Sequence, residues 1–172
     1  MRNFRLFILT VAVLLCRESP AQAKGATWRE YSFPEDGFAI LLPEAPRKHP
    51  DTNIPDTTAY SVTIDPDHAF TLRVRRESRT CDSVLAQLRD GVLSGKARGS
   101  DPSSLKDVPL NRYPGLEYEW SLSEERTVRE RYYCGEGRIY ILAVGREKKQ
   151  AMLPAASKII NSFRLLPAGR QQ

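Results

Sequence analysis

The segment that most restricts what this chain can become is RIYILAV, residues 138–144, where apolar or aromatic side chains follow one another without a break from Ile139 to Val144. A strand with one wet face alternates with period two. A run that does not alternate therefore predicts a strand buried on both faces, inside a sheet and away from its edges. Gly135-Glu136-Gly137 stands immediately before it. Glycine reaches positive φ without a steric penalty, so this triplet reads as the turn of a hairpin joining residues 128–134 to residues 138–144. A phosphate-binding loop beside a reactive Cys134 is the rival reading. Such a loop follows a strand and opens a helix, whereas this one opens another strand, and scaffold is the better fit.

Residues 116–122 supply a third strand and complete a meander. Leu116, Tyr118, Trp120 and Leu122 share one face, and Glu117 and Glu119 share the other. A slip of one residue would set Trp120 against Arg129 or Arg131. An even register instead sets Glu119 opposite Arg131 or Arg129 and lets Trp120 and Tyr118 meet Val128 or Tyr132. Opposite charges paired across strands contribute roughly 0.2 to 1 kcal/mol each, enough to select a register but not to make a fold.

Upstream, residues 27–33 and 38–42 are β-prone runs separated by Pro34-Glu35-Asp36-Gly37, a hairpin signal. Pro43 and Pro46 stop the second run, and a polar, mobile loop is expected through Asp56. Residues 59–64 and 69–76 follow as strands around the turn Asp65-Pro66-Asp67-His68. In the second of these, Phe70, Leu72 and Val74 alternate with Thr71, Arg73 and Arg75, predicting one dry and one wet face. Val84, Leu85, Leu88 and Val92 form the stripe of a helix that Thr80 or Asp82 can cap and that Gly95 and Gly99 terminate. Residues 97–104 read as a connection, with strand resuming at Leu105. A last helix is expected over 154–163, with Ala155, Ile159, Ile160 and Phe163 toward the core and Pro154 in its first turn.

The N-terminus has the form of an export signal. Arg2 and Arg5 precede an almost wholly apolar run over 6–15, and Ala21-Gln22-Ala23 provides small residues for cleavage. This predicts a signal peptide over residues 1–23 and one domain over 24–172. Cys16 offers a competing route through lipidation, but Leu14 and Leu15 occupy positions where a lipoprotein signal has small residues. Membrane contact is expected only if Cys16 carries a lipid; otherwise the product is periplasmic or extracellular. Loss of residues 1–23 lowers the formal charge from +5 to +3 and leaves 23 Lys and Arg interspersed with 20 Asp and Glu. That mixture is a solvated surface, not the clustered footprint of a nucleic-acid binder. Cys81 and Cys134 then remain in a compartment that permits disulfides, and they are either bonded to each other or a pair of buried free thiols.

Few residues suggest chemistry. His49 and His68 lack spaced partners, and no zinc, redox, acyl-transfer, nucleotide or calcium motif occurs. Asp65, Asp67 and His68 have metal-ligand chemistry but also the composition of a turn, which is the preferred reading. Glu117 and Glu119 share a face as a hydrolytic pair might, yet Arg129 and Arg131 can neutralise them as a solvated charge ladder. Arg73, Arg75, Arg76 and Arg79 form the densest basic group, a candidate interaction face for an acidic partner or phospholipid headgroups.

Four segments, DGFAILLPEAPRK (36–48), RYPGLEYEW (112–120), RYYCGEGRIYILAV (131–144) and KIINSFRL (158–165), together resemble the PsbP-like superfamily. Its relatives include Mog-type Ran-binding proteins and exported bacterial domains of unknown function. The resemblance implies an α+β fold, a central antiparallel sheet with helices packed on it as an α/β/α sandwich. It also implies that the first helix lies on the sheet with Cys81 near the strand end carrying Cys134. Characterised relatives are generally binding or assembly proteins, which implies a non-enzymatic module acting on an envelope or secreted component through a protein partner; no ligand motif of the family transfers to residues of this sequence, and no cofactor or metal is expected. The alternative is a hydrolase with a nonstandard carboxylate or serine site.

Overall fold

The computed structural model describes residues 27–97, 99–148 and 151–167. The expected signal peptide over residues 1–23, its expected cleavage site and Cys16 lie outside the described residues. Ten strands and two helices follow in the order β1 (Arg29–Phe33), β2 (Phe38–Leu42), β3 (Arg47–Pro50), β4 (Thr57–Asp65), β5 (His68–Arg76), α1 (Cys81–Leu93), β6 (Ser100–Asp107), β7 (Gly115–Ser121), β8 (Arg126–Gly135), β9 (Arg138–Glu147), α2 (Pro154–Ser162) and β10 (Arg164–Leu165). Seven of the strands form one antiparallel sheet in the order β3-β4-β5-β9-β8-β7-β6. β9 is its middle strand, as the unbroken apolar run predicts.

The β8–β9 hairpin turns through Glu136 and Gly137, both at positive φ. Glycine at 137 carries that conformation freely, and only one residue with a side chain, Glu136, has to share it. The meander adopts the even register. Glu119 lies opposite Arg129, Glu117 opposite Arg131 and Trp120 opposite Val128. Tyr118 is directly opposite Glu130 and reaches Tyr132 diagonally, their rings stacked with centroids 5.9 Å apart.

Three expectations need correction. The stretch 43–56 is not wholly loop, since β3 pairs with β4 there. It is polar because it is an edge strand, where Pro50 leaves no interior ladder bond unmade. Likewise β6 starts at Ser100, inside the segment read as a connection. It pairs with β7 only near its ends, with a register shift between Asp101 and Lys106, and an irregular polar edge carries no period-two signal. On α2 the buried alanine is Ala156, with Ile159, Ile160 and Phe163 beside it, while Ala155 is only half-buried.

The β1–β2 hairpin does not join the large sheet. It pairs with β10 as a separate three-stranded sheet and packs, together with α2, on one face of the large one. Phe38, Ile40 and Leu42 meet Tyr60, Leu72, Tyr140 and Leu142 in that core. Phe163 closes it, stacked on Tyr133 with centroids 5.5 Å apart. Among the described residues, the opposite face receives α1, whose Val84 and Leu85 pack on Leu116, Cys134, Ile139 and Ile141, and the loop bearing Asp51, which holds Arg73. Thr80 caps this helix by accepting from the Ser83 amide at 3.3 Å.

Cys81, the first residue of α1, is bonded to Cys134 on β8, with Cα atoms 5.4 Å apart. The bond closes 53 positions of chain, which on the chain-entropy account stabilises the fold by about 4 kcal/mol. Denatured, nonreduced protein should therefore take up no thiol label at Cys81 or Cys134. Cys134→Ala should lower the melting temperature by roughly 10 °C. Two labelled thiols, or an unchanged melting temperature, would contradict the staple.

Candidate functional site

Strand register sorts the α1 side of the large sheet into rows. Trp120, Val128, Gly145 and Ala69 make one row; Tyr118, Glu130, Ala143 and Thr71 make the next. Leu116, Tyr132, Ile141 and Arg73 form the third, and α1 packs on Leu116, Tyr132 and Ile141 of this row and on Cys134 and Ile139 of the one beyond it. Of the first two rows, Tyr118, Val128, Glu130 and Ala143 are buried, while Trp120, Thr71 and Ala69 reach solvent. A cavity of about 260 Å³ opens there, lined by Trp120, Arg73, Glu130, Thr71 and Arg126 among others. A larger groove of about 880 Å³ runs between α1 and Ile54, floored by Tyr132, Ile139 and Ile141.

Glu130 is the unusual residue of this face. Its strand presents Val128, Tyr132 and Cys134 on the same side, so an acid sits where the period calls for an apolar residue. It is 7 % exposed. Both neighbouring tyrosines donate to its Oε2, Tyr132 at 2.7 Å and Tyr118 at 3.2 Å. Burial, reinforced by the Glu130 charge, pushes the Tyr118 hydroxyl up to about 12 and the Tyr132 hydroxyl well above its ordinary value. Both hydroxyls thus keep their protons at neutral pH. Glu130 Oε1 faces the Arg73 guanidinium at 3.8 Å, beyond hydrogen-bond distance, while Arg73 Nε donates to Asp51 at 2.7 Å.

The four arginines proposed as a basic face do not stay together. Arg73 and Arg75 point to the α1 side, and Arg75 and Arg79 both bind Glu77, at 3.1 and 2.7 Å. Hydrogen bonds from the Arg79 side chain and amide hold the Glu77 carboxyl down to about 2. Arg76 lines a different cleft of about 890 Å³ with Lys48, Asp36 and Arg138. Adjacent residues on a strand face opposite ways, so a cluster in sequence is divided by the sheet. In that cleft the Tyr60 hydroxyl and Lys48 both donate to Asp36, and the walls supply charge of both signs.

The carboxylate pair lies on the other face. Glu119 is held by Arg129 at 2.8 Å and Arg146 at 3.1 Å. Glu117 is not part of a solvated ladder: at 2 % exposure it is buried, with Arg131 at 2.6 Å and Lys106 at 2.8 Å. Arg131 reaches on to Asn161 of α2, and the helix end helps to cover the network. Burial by itself would push the Glu117 carboxyl up, but the hydrogen bonds and charges of Lys106 and Arg131 hold it below its ordinary value. The residues Asp65 and His68 make a turn: Asp65 Oδ1 accepts from the Asp67 and His68 amides and from His68 Nδ1, all within 2.9 Å. Among the described residues, no three His, Cys, Asp or Glu side chains gather as a metal site.

No sequence-family model and no curated protein sequence matches this chain. Solved structures do. The solution structure of cyanobacterial PsbP (CyanoP) from Synechocystis sp. PCC 6803 superposes with a TM-score of 0.58 at 12 % identity, covering 86 % of this chain and 97 % of that one. A crystal structure from Bacteroides thetaiotaomicron gives a TM-score of 0.55 at 12 % identity over 84 % of this chain and 50 % of that one, so this chain spans about half its length. The fold is PsbP-like.

The Glu117 network predicts a pH dependence. A carboxyl depressed below its ordinary value of 4.5 contributes its full stabilisation above that value and loses it as pH falls through the depressed one. Glu117→Gln should lower stability at pH 7 by about 3 kcal/mol, because it leaves the Arg131 charge uncompensated. It should also flatten the loss of stability on acidification. Denaturant melts of both proteins at neutral and acidic pH test this, and parallel pH profiles would contradict it.

Proposed function

We propose that this is an exported, non-enzymatic binding or assembly module that holds an envelope or secreted component against the open α1 side of its sheet. The observation that carries this reading is unequal coverage. Among the described residues, one face of the large sheet is roofed by a second sheet and a helix, while the other carries a single helix and the loop bearing Asp51. Beyond α1 that face presents the half-buried Trp120, the 57 % exposed Leu122 and Arg73 beside the buried Glu130 as a shallow, mixed surface. A broad surface with an aromatic anchor and polar surroundings suits a macromolecular partner.

The Cys81–Cys134 bond supports an oxidising destination, in agreement with the leader-like N-terminus. No helix among the described residues is long and apolar enough to cross a membrane. The hydrolase alternative needs a carboxyl that can act as a general acid. Lys106 and Arg131 favour the ionised form of Glu117, Arg129 and Arg146 occupy the oxygens of Glu119, and this argues for binding over catalysis.

A photo-crosslinking amino acid placed at Leu122 of the protein produced in its native host should give a discrete adduct. The same substitution at Leu93, an equally exposed leucine on α1, should give none. Adducts of equal yield at both positions, or at neither, would overturn the assignment of the surface.

A further inference from the structure

The small cavity on the α1 side carries an inference that rests on this face being the binding surface and names what one part of it holds. Glu130 is buried, its side chain 9 % exposed, and among the described residues only its Oε2 is hydrogen-bonded. Oε2 takes both tyrosine hydroxyls. Oε1 has no hydrogen bond within the described residues and lies 3.8 Å from Arg73 Nη1 on the cavity wall. The two tyrosines hold the carboxylate from the side and Asp51 holds the guanidinium through its Nε. An acceptor and a donor are thereby held side by side, close together but not bonded to each other, at the floor of a cavity whose wall is Trp120.

Charge limits what can enter. Arg73 and Arg126 line the cavity with Asp67 and Glu130, so the lining is formally neutral and favours neither cations nor anions. A neutral ligand that donates to Glu130 Oε1 and accepts from Arg73 at adjacent positions fits this floor. Neighbouring hydroxyls of a pyranose ring do so, as does an acetamido group. The indole of Trp120 offers an apolar plate for the C–H face of such a ring. At about 260 Å³ the cavity lies just under the range of drug-sized sites, which is room for one ring and not for a folded peptide. We propose that the Arg73–Glu130–Trp120 cavity is a carbohydrate subsite that takes one neutral hexose or N-acetylhexosamine unit of an envelope glycan.

The test is a titration of the isotopically labelled purified protein with chitotriose, a neutral trimer that carries both ring hydroxyls and acetamido groups, followed by amide and indole NMR signals. N-acetyl-trialanine amide, which offers the same amide chemistry without a ring, is titrated in parallel. Chitotriose should shift the Trp120 indole and the Ala143 and Gly145 amides saturably, and the peptide should not. Read at Ala143 and Gly145, affinity should fall at least tenfold in Trp120→Ala and in Glu130→Gln. Leu93→Ala should leave it unchanged. Shifts by the peptide alone would replace the sugar with an extended polypeptide, and shifts that neither saturate nor respond to the variants would overturn the site. Crosslinks from Leu122 without sugar shifts would sink this inference and leave the binding surface standing; the absence of both would sink the two together.

Discussion

Everything in this fold depends on one strand being buried on both sides. In β9, Tyr140, Leu142 and Val144 enter the core beneath the small sheet and α2, while Ile139 and Ile141 enter the core beneath α1. Full burial of a side chain of this size stabilises by about 1.5 to 3 kcal/mol, and no other strand divides its apolar residues so fully between two layers. A seven-stranded sheet with β9 in the middle is the arrangement that meets this demand, and it calls for a cover on each face.

The two covers are unequal. The small sheet and α2 make a broad roof whose aromatic contacts run from Phe33 through Phe38 and Phe163 to Tyr133. The helix α1 is a narrow one, with Val84, Leu85 and Val92 its buried apolar residues, and Cys81 ties its start to the sheet. A staple of this kind suits a helix that buries little area. Beyond its reach the sheet shows small side chains, a tryptophan and a buried acid in place of an apolar floor.

Legibility followed periodicity. The meander, its register and the hairpin at Gly135-Glu136-Gly137 were readable because parity restricts strands with one dry face and a non-alternating run can only be interior. The edge strands β3 and β6 were not, since edges are polar and irregular by necessity and resemble loops. Glu117 was misjudged as solvated because its cover comes from the end of α2, distant in sequence. The basic group was overvalued because proximity along a strand alternates between faces. Glu130 had a signal that went unused: Val128, Glu130, Tyr132 and Cys134 share a parity, and the acid breaks an otherwise apolar series. Its tyrosine partners were within reach of the same reasoning, but Arg73, brought in by the β5–β9 pairing, was not.

Native-state hydrogen exchange, resolved by residue, tests the central position of β9 most directly. Amides of a strand paired on both sides and buried on both faces open only through large-scale unfolding. The amides of Ile139, Tyr140, Ile141 and Leu142 should therefore belong to the slowest-exchanging class, with those of β3 and β6 exchanging sooner. Exchange at residues 139–142 as fast as at those edges would contradict the account.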